Sequence, residues 1–148
     1  MTKNIDLIIY AVAGLVIVLA ISEIIRSVLK KREENYQIFI NRWKGLIILA
    51  KKKSQWNQLV IEADKLLDDV LKYKHYKGKH LADKIVSAQR QFKNNDQIWS
   101  CHKLANRIQQ EGYVLNDKKQ LLYVISSYRE AFTDLGIFKI DKKAANEK

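Results

Sequence analysis

The chain has 148 residues, of which 47% are hydrophobic and 29% charged, so its composition excludes wholesale disorder and allows a packed core. Its 27 lysines and arginines against 16 acidic residues give a formal net charge of +11, which favours anionic partners. A single cysteine excludes an internal disulfide, and no metal-binding or nucleotide-loop spacing occurs, so we predict neither metal nor cofactor. The absence of proline predicts an all-α fold.

The first predicted element is an apolar helix that carries no charged residue from Leu7 to Ile21. As a helix, residues 7–25 extend over about 28 Å, close to the thickness of the hydrocarbon core of a bilayer. We therefore predict a transmembrane anchor over residues 1–25. A signal peptide cleaved near Ala20 is one alternative. A buried soluble helix is the other, although hydrophobicity on all sides argues against it.

The flanking charges predict the orientation of this anchor. Only Lys3 precedes the apolar run as a positive residue. A cluster follows it, which consists of Arg26, Lys30, Lys31 and Arg32. Because positive residues stay on the cytoplasmic side, we predict a single-pass protein of the cell membrane with its N-terminus outside and its C-terminal domain in the cytoplasm.

The remainder divides into a membrane-proximal helical segment over 26–53, a helical bundle domain over 54–138 and a polar tail over 139–148. Ser54 is predicted to cap the first bundle helix, and Gly78 to end it. The apolar positions of this helix step by three and four residues, which is typical of an amphipathic helix. They are Trp56, Leu59, Val60, Ala63, Leu66, Leu67, Val70 and Leu71.

Three further helices are predicted in the bundle domain. They cover about 81–91 and 96–110, and a last helix begins after a cap at Asn116 or Asp117 and ends at Gly136. The predicted apolar face of the last helix consists of Leu121, Leu122, Val124, Ile125, Tyr128, Ala131, Phe132 and Leu135.

Four stretches, in this order and spacing, resemble an uncharacterised family of small bacterial membrane proteins with one N-terminal span and a cytoplasmic helical domain. They are WNQLVIEADKLLDDVL (56–71), YKGKHLADKI (76–85), WSCHKLANRIQQEG (99–112) and SYREAFTDLGI (127–137). More distantly, the same signature is similar to the HEPN superfamily. HEPN domains are helical bundles that often dimerise, and many are ribonucleases, so the resemblance implies a HEPN-like bundle.

The HEPN motif is an arginine followed after four to six residues by a histidine on one helix. At the matching positions this chain has Ala105 and Gln110, so the motif is degenerate. Alanine carries no charge and glutamine exchanges no proton, whereas RNA cleavage needs a cation and a proton carrier. We predict no catalytic residue. By spacing alone, Ala105→Arg with Gln110→His restores both groups. The degenerate motif comprises His102, Ala105, Asn106, Arg107, Gln110 and Glu111.

Other polar residues have a structural interpretation beside a functional one. His102 is predicted to pack or cap within the bundle rather than to catalyse. Asp64 and Asp68 share a helix face, and such a pair can perform acid–base chemistry or hold a metal ion. Without a third ligand we expect instead a solvated or salt-bridged face. Glu62 is expected to be buried near a basic partner such as Arg107.

The segment KYKHYKGKH interleaves lysines with tyrosines, an arrangement that can bind phosphates and stack on bases. Its candidate anion-binding residues are Lys72, Lys74, Lys77 and Lys79. The alternative is an ordinary basic helix end. We predict a membrane-anchored, non-catalytic interaction or scaffold protein with a protein partner or a homodimer. The alternative function is a membrane-tethered RNA-binding module, and anionic lipid headgroups are a further candidate ligand.

The charge asymmetry around the apolar run predicts the outcome of a topology experiment. A reporter enzyme that is active only in the cytoplasm should be active when it is fused after Lys148. Activity of an export-dependent reporter at that position would instead mean the reverse orientation or a cleaved signal peptide.

Overall fold

The computed structural model describes residues 2–138, with the side chains of 8–138. Within that range the chain forms five α-helices and a single 3₁₀ turn, without a strand, which confirms the all-α prediction. The elements are α1 (Thr2–Leu49), the 3₁₀ turn (Lys53–Gln55), α2 (Trp56–Tyr73), α3 (Leu81–Ala88), α4 (Asn95–Glu111) and α5 (Lys118–Asp134). The chain divides into two compact units, Met1–Gln37 and Ile38–Lys148. The predicted tail over 139–148 lies outside the described residues.

The first unit is a stretch of α1 whose apolar side chains pack against nothing within the unit. Its large hydrophobic residues from Ile8 to Leu29 are all exposed, each by half or more of its surface. By length and composition α1 can cross a membrane, and it is the one helix of the described chain that meets both criteria. Its polar end begins with an exposed ion pair between Arg26 and Glu23.

The second unit is organised around α2, which packs against α3, α4 and α5. One whole side of this helix is apolar, and every position of the predicted stripe is buried. The face predicted for α5 is also largely buried, but Leu122 is 54% exposed, which corrects its assignment to the core. Leu122 follows a buried residue directly, and a helix rotates about 100° between consecutive residues, so it turns away from α2.

The last turns of α1 lie antiparallel to α2. At one end, the indole N–H of Trp56 donates to the carbonyl of Ala50 over 2.9 Å. At the other end, the rings of Phe39 and Tyr73 meet edge to face with centroids 5.4 Å apart. The start of this α1 segment therefore lies beside the end of α2.

Aromatic packing extends the second unit beyond its predicted boundary. Trp43 is buried, and its ring meets that of Phe132 on α5 at 5.3 Å between centroids. Because these last turns of α1 supply core side chains, the compact unit begins at Ile38, whereas the sequence placed the start of the bundle at 54.

The ends of α2 differ from those predicted. Ser54 lies inside the 3₁₀ turn, and Gln55 occupies the N-cap position without a side-chain hydrogen bond, so the predicted serine cap was wrong. The helix ends at Tyr73 rather than near Gly78, and His75 adopts the left-handed conformation with φ 62°. Helix α2 is thus terminated at a histidine, a residue type that does not predict a helix end from sequence.

The ends of α5 follow the prediction. Asp117 caps the helix, since its carboxylate accepts a hydrogen bond from the backbone N–H of Lys119 over 2.9 Å. At the other end Gly136 has φ 69°, and the N–H of Ile137 reaches back to the carbonyl of Phe132 over 2.8 Å. A glycine in this conformation closes a helix without steric cost.

The central position of α2 predicts the effect of truncating its buried side chains. Leu66→Ala should lower the free energy of unfolding by about 2–5 kcal/mol, because Leu66 is only 1% exposed and its loss leaves a cavity. Denaturation of the protein in detergent micelles, followed by tryptophan fluorescence, measures this, since all three tryptophans lie in the second unit. The matched control Leu122→Ala should cost less than about 0.5 kcal/mol. Equal costs at both positions would contradict the packing described.

Candidate functional site

A buried carboxylate lies in the middle of the apolar face of α2. Asp64 is 5% exposed and belongs to the same helix face as Val60 and Leu67, which are fully buried. A carboxylate in such surroundings is costly unless donors satisfy its oxygens. The prediction of a solvated position was therefore wrong for Asp64, and its partners define the site.

Two donors from two other helices meet this carboxylate. The hydroxyl of Tyr128 on α5 donates to Oδ1 of Asp64 over 2.8 Å. Nδ1 of His102 on α4 lies 3.0 Å from Oδ2 and 3.1 Å from Oδ1. Three helices are thus joined at one side chain.

Asn106 completes the cluster one helical turn after His102. Its amide nitrogen lies 3.2 Å from Nε2 of His102. Nδ1 of His102 thus contacts the carboxylate of Asp64, and Nε2 contacts the amide of Asn106. Both ring nitrogens are then satisfied within the protein, and the side chain of His102 is only 12% exposed. We call Asp64, His102, Asn106 and Tyr128 the polar cluster.

Burial also fixes the protonation of Tyr128. Removal from water, followed by the charge of Asp64, raises the pKa of Tyr128 well above its ordinary value. The hydroxyl therefore keeps its proton and remains a donor at neutral pH. Nearby, burial raises the pKa of Cys101 to about 12, so this thiol is not a nucleophile at neutral pH.

The degenerate motif does not form a shared pocket. Ala105 is fully buried in the core, whereas Gln110 is exposed. Arg107 is exposed too, where its guanidinium lies 4.5 Å over the ring of Tyr113 and 3.5 Å from the carboxylate of Glu111. The double change Ala105→Arg with Gln110→His restores both groups by spacing alone, but the arginine would bring a charge into the core.

The remaining carboxylates of α2 are engaged at its surface. Asp68 accepts from Lys84 over 2.6 Å, so the prediction of a salt-bridged position holds for Asp68. Glu62 pairs with Lys65 over 2.9 Å and lies at an intermediate exposure. It does not pair with Arg107, which corrects that expectation. Among the described residues, no three histidine, cysteine or acidic side chains cluster in a way that could hold a metal ion.

No protein-family model matches this chain, and neither a curated protein nor a solved structure is significantly similar to it. The resemblance to HEPN domains therefore stays a prediction.

The predicted anion-binding lysines lie where α2 ends. Lys72, Lys77 and Lys79 are exposed, while Lys74 is partly buried. Tyr73 is occupied by its ring contact with Phe39, so it is not a free platform for a base. The structure thus leaves the charges of this segment accessible and covers one of its two aromatic rings.

The polar cluster left a signal in the sequence that spacing analysis could have found. Asp64 falls four residues after Val60 and three before Leu67, inside the apolar stripe. Tyr128 likewise falls inside the stripe of α5. Polar residues at core positions on separate helices indicate a buried hydrogen-bonded network, because each needs a partner.

Loss of the buried carboxylate should destabilise the second unit. Asp64→Ala is expected to cost about 2–4 kcal/mol, since it leaves the donors of His102 and Tyr128 buried without an acceptor. Chemical denaturation in detergent micelles measures the change. Asp69→Ala is the matched control on the same helix: it removes an exposed ion pair with Arg42 and should cost at most about 1 kcal/mol.

The cluster should also behave as a unit. Tyr128→Phe alone should cost about 1–2 kcal/mol, and it should cost clearly less once Asp64 is alanine, because the hydroxyl then has no carboxylate to satisfy. Additive effects of the two changes would contradict direct coupling between these side chains.

Proposed function

We propose that this protein is a membrane-anchored, non-catalytic helical scaffold that works by binding other protein chains, including its own copies. The apolar part of α1 would serve as the anchor, with the N-terminus outside and the second unit in the cytoplasm. The exposed apolar surface of residues 8–29 supports the anchor, because a helix of this composition needs lipid or protein around it. The positive cluster after this run supports the orientation.

The observation that carries the non-catalytic assignment is the internal use of the polar side chains on α4. His102 would be the proton carrier of any site on this helix, yet both its ring nitrogens are hydrogen-bonded to Asp64 and Asn106. A general base must reach the proton that it removes, and this imidazole faces protein partners instead. Ala105, at the place of the cation, is enclosed in the core.

Exposed apolar side chains on the second unit support a protein partner. Leu122 and Tyr123 are neighbours on α5, exposed by 54% and 43%, and Val114 in the preceding loop is exposed by 59%. Such residues are enriched where proteins meet. The resemblance to HEPN domains, which often dimerise, points to self-association in the same way.

An RNA-binding module is the second candidate, and the net charge of +11 together with three exposed lysines near the end of α2 favours it. The two functions differ in which molecules co-purify with the protein.

The tagged full-length chain, solubilised from its own membranes with mild detergent, should retain a defined set of proteins or form cross-linked dimers. Leu122→Glu should weaken these contacts without unfolding the second unit, because Leu122 is exposed and lies outside the core. Recovery of nuclease-sensitive RNA without protein partners would replace the scaffold by the RNA-binding module.

The absence of catalysis predicts the result of a nuclease assay. The full-length protein should cleave single-stranded RNA no faster than its His102→Ala variant, because both ring nitrogens of His102 are hydrogen-bonded within the protein and the motif's cation position is Ala105, enclosed in the core. The assay compares RNA decay at equal protein concentration, with a folding check by circular dichroism. Cleavage by the wild-type protein that disappears in the variant would make His102 catalytic and overturn the proposal.

A further inference from the structure

The end of α2 and the loop after it concentrate positive charge on the second unit. Residues 72–80, here called the basic loop, contain four lysines and two histidines and no acidic residue. The ammonium groups of Lys72, Lys77 and Lys79 belong to exposed side chains. Within the described chain, no carboxylate pairs with any of these three. Their charge is therefore available to an external anion.

The acidic residues that precede the basic loop are committed to other cations. Asp69 accepts from Arg42 on α1 over 2.7 Å. Asp68 accepts from Lys84 on α3 over 2.6 Å, and that lysine is almost fully buried. Neither carboxylate is free to neutralise the loop, so its positive field extends into solvent.

The basic loop is held in one shape. The carboxylate of Asp83 accepts hydrogen bonds from the backbone N–H groups of Lys79 and His80 over 3.1 and 3.0 Å. The hydrogen bond from His80 is the main reason that the pKa of Asp83 is lowered. Gly78 has φ 149°, and a Cβ there would come within 2.5 Å of Cβ of Asp83, so only glycine fits. A preformed loop loses less conformational entropy when it binds.

The basic loop lies at a particular end of the second unit. Tyr73, inside the loop, packs against Phe39, which is the second residue of the unit. In sequence, only residues 26–37 separate this point from the end of the apolar run at Ile25. The loop is thus at the end where the chain enters the second unit from its apolar segment.

The contacts of the loop favour a ligand that needs charge without base stacking. Proteins that hold single-stranded RNA combine cations with aromatic platforms. In the basic loop Tyr73 is covered by Phe39, and Tyr76 is partly buried. Phospholipid headgroups need cations alone. We propose that the basic loop docks on anionic phospholipid headgroups of the membrane that the chain's own apolar helix enters. This inference rests on the proposed membrane anchorage.

Hydrogen exchange of the full-length protein in lipid nanodiscs tests the docking. Two preparations are compared, one of phosphatidylcholine alone and one with about a third of phosphatidylglycerol. Amides of residues 72–80 should exchange roughly threefold more slowly, or slower still, in the anionic discs. Salt at about 0.5 M should remove the difference, because it screens charges beyond a few ångströms. Both faces of a nanodisc have the same lipids, so the result does not depend on orientation.

A charge-matched pair of variants assigns the effect to the loop. Lys72, Lys77 and Lys79 changed together to glutamine should abolish the protection. The control variant loses the same charge from exposed positions elsewhere, by glutamine in place of Lys103, Lys118 and Lys119. It should keep the protection of the basic loop.

The remaining outcomes separate the docking from the anchorage. Flotation of the protein with the discs in high salt reports the anchorage independently, and failure to float would remove the anchor and the docking together. Flotation with equal exchange in both lipids would overturn the docking alone. Slower exchange in anionic discs that persists in the variant with glutamine at positions 72, 77 and 79 would also overturn the docking alone. Protection that appears with a single-stranded RNA oligonucleotide in neutral discs, and not with phosphatidylglycerol, would assign the loop to RNA instead.

Discussion

The packing of α2 against α4 and α5 depends on satisfying one carboxylate inside the core. Asp64 lies where an aliphatic residue would otherwise be expected, and its oxygens accept from Tyr128 and His102. Apolar contacts tolerate small rotations and shifts of a helix, whereas two hydrogen bonds of about 3 Å tolerate little. The polar cluster therefore sets the register of three helices that apolar burial only brings together.

The same arrangement bears on the proposal that α4 is not catalytic. The face of α4 that carries His102 and Asn106 turns toward α2, and Ala105 is enclosed in the core. A functional site on this helix would need those groups to face a cavity or a partner. Here both ring nitrogens of His102 are hydrogen-bonded to protein side chains, which supports the proposed absence of catalysis.

Much of the fold could be predicted from the sequence, because the apolar stripes of α2 and α5 repeat with the period of a helix, and Asp117 and Gly136 mark helix ends by well-understood chemistry. The C-terminal end of α2 could not, since the left-handed residue that closes it is His75, and this conformation is usual for glycine rather than histidine. Helical periodicity places Asp64 and Tyr128 inside apolar stripes but cannot pair them, because Asp64 is 38 and 64 residues from His102 and Tyr128, and periodicity relates only residues within one element. The contact of Trp43 with Phe132 could not be predicted for the same reason, since Phe132 lies on the last helix.

The burial of Cys101 has a practical consequence for work on this protein. It is the single cysteine of the chain and is 1% exposed, with its thiol held in the neutral form. A folded molecule thus offers no accessible thiol to maleimides or to a neighbouring copy. Any cysteine introduced at the surface becomes the sole attachment point for a spin label or a dye, and the native residue can stay in place.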